Sequence, residues 1–390
     1  MSSTGLDPET FASFLGTLRR FVRERLIRAE PEVIETDRIP DPLLDEMREL
    51  GLFGLTIPPE YGGAGLSMDQ YVEVIRELSW AAPAFRSVIS IGTGIVATAL
   101  KQDGTEAQRA EYLPRLAAGE IASFALTEPD SGSDAAAMRT RAVKQGDAYV
   151  LSGSKRYITN APMAGFVIVM ARTSADTLPG NAHVSAFLVP TDAPGVSIGK
   201  PDRKMGQRGA LTADVVLEDV RVPAASLLGG VEGRGFKTAM KALDGGRLSV
   251  AAAAIGYGAR ILESGLRYAT ERKAFGETIG NFQLIQAMLA DSKTELYAAE
   301  CMLRDAARRA AAGERISTEA ACVKMFASEA CSRVADRTVQ IYGGAGYMAE
   351  YEAERFFRDA RVYRIYEGTT QILQLVIAKA MLKEISHAVD

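Results

Sequence analysis

The chain has 390 residues, 45 of them basic and 49 acidic, for a formal net charge of −4. With 47% hydrophobic and 24% charged residues it has the make-up of a folded chain with a large core, and its length predicts two or three domains. A mildly acidic balance without a long basic run argues against nucleic acid as the main partner. His183 and His387 are the only histidines, and Cys301, Cys322 and Cys331 lack C-x-x-C spacing, so a His-based triad, a zinc site or a disulfide frame is not expected. No apolar stretch is expected to reach the roughly 18 residues of a membrane span. Met1–Asp7 shows no basic segment leading into an apolar one, so a secretory leader is not expected and a cytoplasmic location is.

Residues 1–121 read mostly as helix. Tyr71, Val74, Ile75 and Leu78 fall at the i, i+3, i+4, i+7 spacing of one buried face. Phe11, Phe14, Leu15, Leu18 and Phe21 repeat the pattern, with Arg19, Arg20 and Arg23 expected on a solvated face. In residues 122–228 the pattern changes to short runs rich in β-branched and aromatic residues: Tyr149–Leu151, Phe166–Met170, Ser185–Val189 and Asp214–Leu217. They predict a compact antiparallel β domain, a barrel or a sandwich. Residues 229–390 read as a helix bundle, with long stretches at Tyr268–Arg309, Ser317–Val339 and Gly368–Ile385 and a break at Gly343–Gly346. The fold class is therefore α+β: an N-terminal helical domain, a middle β domain and a C-terminal helix bundle.

No Walker A loop is present, and neither Gly229–Gly235 nor Gly343–Gly346 follows a strand that opens a βαβ unit. Each reads as a helix cap, or as bare backbone able to approach phosphate. Phe124–Asp134 and Lys155–Asn160 read as polar turns, or as a donor-rich loop with Tyr157 as an aromatic wall for a planar ring. Glu367 stands beside a glycine at the apparent start of the last helix. It is either a helix-start acid favoured by the dipole or a carboxylate in a tight, partly apolar setting.

Four motifs then stand in order: Thr127-Glu128-Pro129-Asp130-Ser131-Gly132-Ser133-Asp134, Arg272-Lys273-Ala274-Phe275-Gly276, Gln340-Ile341-Tyr342-Gly343-Gly344-Ala345-Gly346-Tyr347 and Tyr366-Glu367-Gly368-Thr369-Thr370-Gln371. With them the chain resembles the acyl-CoA dehydrogenases over essentially its whole length. The resemblance implies an FAD enzyme, usually a homotetramer, that passes electrons to an electron-transfer flavoprotein. By the same resemblance Phe124, Leu126, Thr127, Gly132 and Ser133 would line the flavin, Tyr157 would cover it, and Thr159 would bond near its N5. Arg272 and Phe275 would reach the FAD of a neighbouring subunit, Gln340 and Gly344 its nucleotide part, and Thr369 and Gln371 would close on the cofactor. Ser133, Asp244, Arg247 and Gly368 would face the acyl-CoA.

The implied reaction removes the pro-R α-proton to Glu367 and the β-hydrogen as hydride to flavin N5, giving a trans-2-enoyl-CoA. A desolvated carboxylate is the better acceptor, and the family polarises the thioester carbonyl with the base's own N–H and a flavin hydroxyl. Some relatives carry the base within the stretch Asp244-Gly245-Gly246-Arg247, where the matching position here is Gly246, which cannot serve. A short, branched or cyclic acyl-CoA is the expected substrate. Ala84–Ser90 is also similar to the glutaryl-CoA dehydrogenase stretch in which an arginine meets a distal carboxylate, which would give Arg86 that role, and Tyr366 beside the base also matches that branch. Against decarboxylation, Ser79 stands where that branch has an acid, and Arg86 has the alternative of an ion pair with Glu77. Oxygen-reactive oxidases and monooxygenases share the fold, but typically have aspartate or no acid at the position of Glu367.

Overall fold

The computed structural model describes residues 5–388; Met1–Thr4 and the side chain of His387 lie outside the described set. The N-terminal part opens with α1 (Pro8–Phe21), where the Asp7 side chain accepts from the backbone of Glu9 and Thr10. A single π turn joins α1 to α2 (Ile27–Thr36), followed by α3 (Asp41–Glu49) and α4 (Met68–Leu78). Tyr71, Val74, Ile75 and Leu78 are buried on α4, as their spacing predicts. Arg19 and Arg20 of α1 are exposed, as expected, while Arg23 in the turn after it is half-buried. Arg19 and Arg23 converge on buried Glu77 at 3.2 and 3.5 Å, and Arg23 lies over the Trp80 ring.

Next come α5 (Pro83–Ser90), a π turn, α6 (Ala97–Asp103) and α7 (Glu106–Ala117). Together Pro83–Asp103 form one helical run that is long and apolar enough to span a membrane, contrary to the expectation. Reading for unbroken apolar runs misses it, because Ser87, Ser90 and Thr93 interrupt the string without lowering the average much. The run is a core helix, with 83% of its most apolar window buried inside the protein.

The middle part holds β1 (Ala122–Ala125), β2 (Arg141–Gln145), β3 (Ala148–Thr159), β4 (Phe166–Arg172), β5 (Val184–Pro190), β6 (Val196–Ile198) and β7 (Thr212–Pro223). They form one sheet in the order β1-β4-β2-β3-β7-β6, with β5 on β4. Most pairs are antiparallel as expected, but β1 runs parallel to β4, and β2 meets β4 in parallel at Arg141 and Arg172. The β2–β3 hairpin lies between β1 and β4 in the chain and supplies the long crossover a parallel pair requires. Alternate residues of β4 enter two different cores: Phe166, Ile168 and Met170 pack toward α6 and α7, and Val167, Val169 and Ala171 into the sheet's own interior. Burial of both faces explains why this strand reads as a continuous apolar run.

The C-terminal part is built on α8 (Gly235–Glu271), buried nearly all round between residues 246 and 262. Small residues let neighbours approach: a Cβ on Gly256 would overlap the Arg76 carbonyl of α4. The stretch Tyr268–Arg309 is not one helix. A hairpin of β8 (Lys273–Ala274) and β9 (Glu277–Thr278) separates α8 from α9 (Gln283–Ala311). Phe275 and Gly276 form its tip at φ 51° and 90°, the left-handed pair that a two-residue hairpin turn needs. Then come α10 (Ser317–Tyr342), α11 (Glu352–Ala360) and α12 (Thr370–Ala388). Buried Glu30 of α2 ties the two helical parts together, accepting from Arg260 at 2.9 Å, Arg355 at 3.3 Å and the Ala82 N–H at 2.7 Å.

Candidate active site

Glu367 lies in the bend before α12, three residues ahead of that helix, so it is not a helix-start acid. Thr369 takes the capping role, its hydroxyl accepting from the Ile372 N–H at 3.2 Å. Glu367 and Gly368 both have left-handed backbone, at φ 56° and 94°. For a glutamate this conformation is sterically costly and persists only where the surroundings enforce it. Its Oε2 atom is buried and has no hydrogen-bond partner among the described residues. It fills the space in front of Gly246, where a Cβ would overlap it. A glycine at 246 is therefore what allows a carboxylate to enter from the α12 side.

Three cations from three elements surround this carboxylate: Arg86 of α5, Arg247 of α8 and Lys324 of α10. Burial pushes the Glu367 carboxyl above the ordinary range, and the three cations only partly offset this. Arg86 is buried and donates to Ser249 Oγ at 3.0 Å, while its Nε has no partner. The alternative ion pair with Glu77 is not formed, since Glu77 is taken by Arg19 and Arg23. Burial acts to lower the Arg86 guanidinium, but Tyr366, Tyr71, Tyr363 and Glu367 outweigh it and raise it overall. Tyr366 itself is pushed up to about 12 by burial. Ser79 bonds back to the Ile75 carbonyl at 2.7 Å and brings no charge. Arg247 pairs with Asp244 at 2.8 Å, and Asp244 also accepts from Ser317 at 2.6 Å. Asp244, Arg247, Gly368, Arg86 and Glu367 are thus assembled in one place, although they are widely spaced in sequence.

A second cluster forms at one end of the β domain. Half-buried Phe124, Leu126 and Thr127 leave β1 toward an exposed loop that carries Gly132 and Ser133, with open space where a Gly132 Cβ would stand. The register of β3 on β7 shifts between Lys155 and Ile158. A bulge of this kind re-aims side chains. Here Tyr157 is turned out, 59% exposed at φ 58°, and buried Arg156 Nε has no partner. Thr159 is half-buried, and its carbonyl accepts from Ser123 at 2.8 Å, which joins β1 to β3.

A third cluster lies at the far end of α8 and α10. Arg272, Gly343, Gly344, Tyr268 and Tyr342 line a cavity of about 370 Å³. The Arg272 guanidinium is exposed with no partner among the described residues, Gln340 is exposed on the last turn of α10, and Phe275 is 95% exposed at its hairpin tip. This cluster and the Tyr157 cluster occupy different parts of the fold. Thr369 and Gln371 flank the start of α12 beside Glu367, half-buried and exposed respectively.

Two residues that the sequence reading passed over complete the picture. Lys155 is fully buried and pairs with Glu128 at 2.7 Å, while Glu128 also accepts from the N–H groups of Arg139 and Thr140. Lys324 is fully buried and donates to the Gly368 carbonyl at 2.6 Å. A signal for the second existed: Lys324 sits on the apolar stripe Ala320, Val323, Ala327 and Cys331 of α10, where an unpaired lysine would be costly.

Sequence models of the acyl-CoA dehydrogenase N-terminal, middle and C-terminal domains match residues 8–120, 123–220 and 233–382. The probable acyl-CoA dehydrogenase YngJ of Bacillus subtilis is 42% identical over 94% of this chain and 96% of its own. The caffeyl-CoA reductase-Etf complex subunit CarC of Acetobacterium woodii is 41% identical over 90% of this chain and 93% of its own. The butyryl-CoA dehydrogenase structure from Megasphaera elsdenii superposes with a TM-score of 0.91 at 35% identity, covering 98% of this chain and all of that one. The chain belongs to the acyl-CoA dehydrogenases, flavoprotein oxidoreductases acting on CH–CH bonds of acyl-CoA thioesters.

Proposed function

We propose that this enzyme takes the α- and β-hydrogens from an acyl-CoA and gives the trans-2-enoyl-CoA, with Glu367 as the base. The observation that carries this reading is the unpartnered, buried Glu367 Oε2 in the space left by Gly246. A carboxylate with no partner of its own is ready to take a proton from a weak carbon acid. Desolvation, which raises its pKa, increases its strength as an acceptor. The Glu367 backbone N–H makes no hydrogen bond among the described residues, which leaves it to donate to a thioester carbonyl and stabilise developing negative charge. Asp244 and Arg247 stand one helical turn apart beside this point and would orient the carrier arm.

FAD fits the remaining residues. Unpartnered Arg156 Nε, outward Tyr157 and the open Gly132 loop suit a ring with hydrogen-bonding edges; the Arg272 guanidinium and bare Gly343–Gly344 backbone suit phosphate. Phe124, Leu126, Thr127, Ser133 and Thr159 would hold the ring, and Phe275, Gln340, Thr369 and Gln371 the rest. Bound FAD would supply the acceptor for the β-hydride. The separation of the Arg272 cluster from the Tyr157 cluster supports a cofactor shared between subunits of a homotetramer. Exposed Phe275, Leu284, Tyr297, Leu375 and Leu382 support the same assembly. An electron-transfer flavoprotein is the proposed acceptor, supported by the name of the CarC complex.

For the acyl group we favour a short, branched or cyclic chain. A second reading, a dicarboxylyl tail held by Arg86, is favoured by that guanidinium's burial without any carboxylate partner among the described residues. An anaerobic titration of the purified protein with straight, branched, cyclic and dicarboxylyl CoA thioesters decides between them by bleaching of the oxidised flavin band. If glutaryl-CoA bleaches best, Arg86→Met should lower its kcat/KM about 10–100-fold, the effect of one lost charged hydrogen bond, and leave butyryl-CoA nearly unchanged. A yellow protein that no thioester bleaches would overturn the function.

A further inference from the structure

Of the three cations around Glu367, two are held by partners of their own. Arg86 bonds Ser249, and Arg247 pairs with Asp244. Lys324 differs from both. Its ammonium has three donors, is fully buried, and makes one hydrogen bond among the described residues, to the carbonyl of Gly368 at 2.6 Å. No carboxylate lies within ion-pair distance of it among those residues, and the charges that act on it are Glu367, Arg247 and Glu329. A position on the apolar stripe of α10 that needed only volume would be filled more stably by methionine or leucine. The one thing the lysine does that those residues cannot is bond the peptide next to the base and place a positive charge beside it.

That peptide is where the backbone is strained. Glu367 and Gly368 are consecutive left-handed residues, and in this conformation the Glu367 carboxylate stands in front of Gly246. Resting on the reading of Glu367 as the base, we propose that Lys324 is a positioning residue for proton abstraction: through the Gly368 carbonyl it fixes the left-handed turn, and its charge biases Glu367 toward the carboxylate. The carboxylate is then faced by Arg86 from α5, Arg247 from α8 and Lys324 from α10, with Tyr366 beside it in its own segment. Burial pushes the Lys324 amine down to about 8, with Glu367 acting to raise it, so the two groups support each other's charged forms. Because an ionised Lys324 favours the carboxylate, its removal must shift the acid limb of the reaction to higher pH.

The test uses the FAD-loaded enzyme and the acyl-CoA that bleaches the wild type best, with the anaerobic rate of flavin reduction followed against pH. Lys324→Met should reduce flavin roughly 10–100-fold more slowly, with its acid limb moved up by about one pH unit, the effect of one nearby opposite charge. FAD content and ground-state affinity for the thioester should hardly change. Lys324→Gln, neutral but able to donate, should show the same shift with a smaller loss of rate, and it carries the test if the Met variant does not fold. Lys324→Arg should bring the acid limb back. A wild-type pH profile in both neutral variants would overturn the role of Lys324 while leaving Glu367 as the base. Normal reduction by Glu367→Gln would instead remove the base itself. If both assignments hold, adding Lys324→Met to Glu367→Gln should slow the residual reduction no further.

Discussion

Two fully buried lysines hold two loops at the candidate site, and they do so in opposite ways. Lys155 meets the Glu128 carboxylate at 2.7 Å, and both Glu128 oxygens are further satisfied by the Arg139 and Thr140 N–H groups. Lys324 meets only a carbonyl, and the carboxylate next to that carbonyl keeps an unpartnered oxygen. The closed arrangement is a scaffold: a paired, hydrogen-bonded charge adds little net stability, but breaking it is costly. The open arrangement leaves polar groups unsatisfied, and natural proteins keep such groups where a ligand or a reaction completes them. The difference separates the loop that would frame a cofactor from the loop that would carry out proton transfer.

The largest expected effect falls on the open side. Glu367→Gln should keep its flavin yet lose its reduction by acyl-CoA by about 10²–10⁴ or more, as seen in single-turnover absorbance. On the closed side Lys155→Met should strand Glu128 and destabilise the protein by about 3–5 kcal/mol, measurable by thermal or denaturant unfolding. Adding Glu128→Gln to that variant should recover much of the loss. If Lys155→Met alone proves harmless, the contrast between the two lysines fails. Smaller again, Arg272→Ala should weaken FAD retention about 10–100-fold, read by flavin released on dilution, because one charge-assisted contact is removed.

The smallest effect sharpens the contrast through pH. The folded-state pKa of Glu367 is raised above its ordinary 4.5, first by burial. The native state therefore holds this proton more tightly than the unfolded chain, so the ionised group costs stability at neutral pH. The cost is relieved as pH falls through the raised pKa toward 4.5. Glu367→Gln should accordingly melt slightly higher than wild type near neutrality, with the gap closing on acidification. A variant that melts lower at pH 7 would show that the carboxylate is better satisfied than its surroundings indicate.

Much of this was legible in the sequence, and the parts that were not have a common cause. The α4 stripe follows from local periodicity and the four longest strands from runs rich in β-branched and aromatic residues, signals that depend only on residues a few positions apart. The hairpin inside Tyr268–Arg309 was missed because its tip needs only two left-handed residues, and Phe275 is not one that advertises them. Arg23 read as solvated because its partner, Glu77, lies more than fifty positions away on another helix. The role of Lys324 was hidden for the same reason, since Gly368 is 44 residues further along.

The sequence by itself determined the three-part architecture and, through four motifs, the family and the identity of the candidate base. Periodicity and motif order are written along the chain and need no folding to be read. Only the tertiary structure decided which charges surround Glu367, that Glu77 is not the partner of Arg86, and that one buried lysine is neutralised by a carboxylate while the other is not. Those are questions of distance and desolvation, and both are set by packing between helices that the chain order keeps far apart.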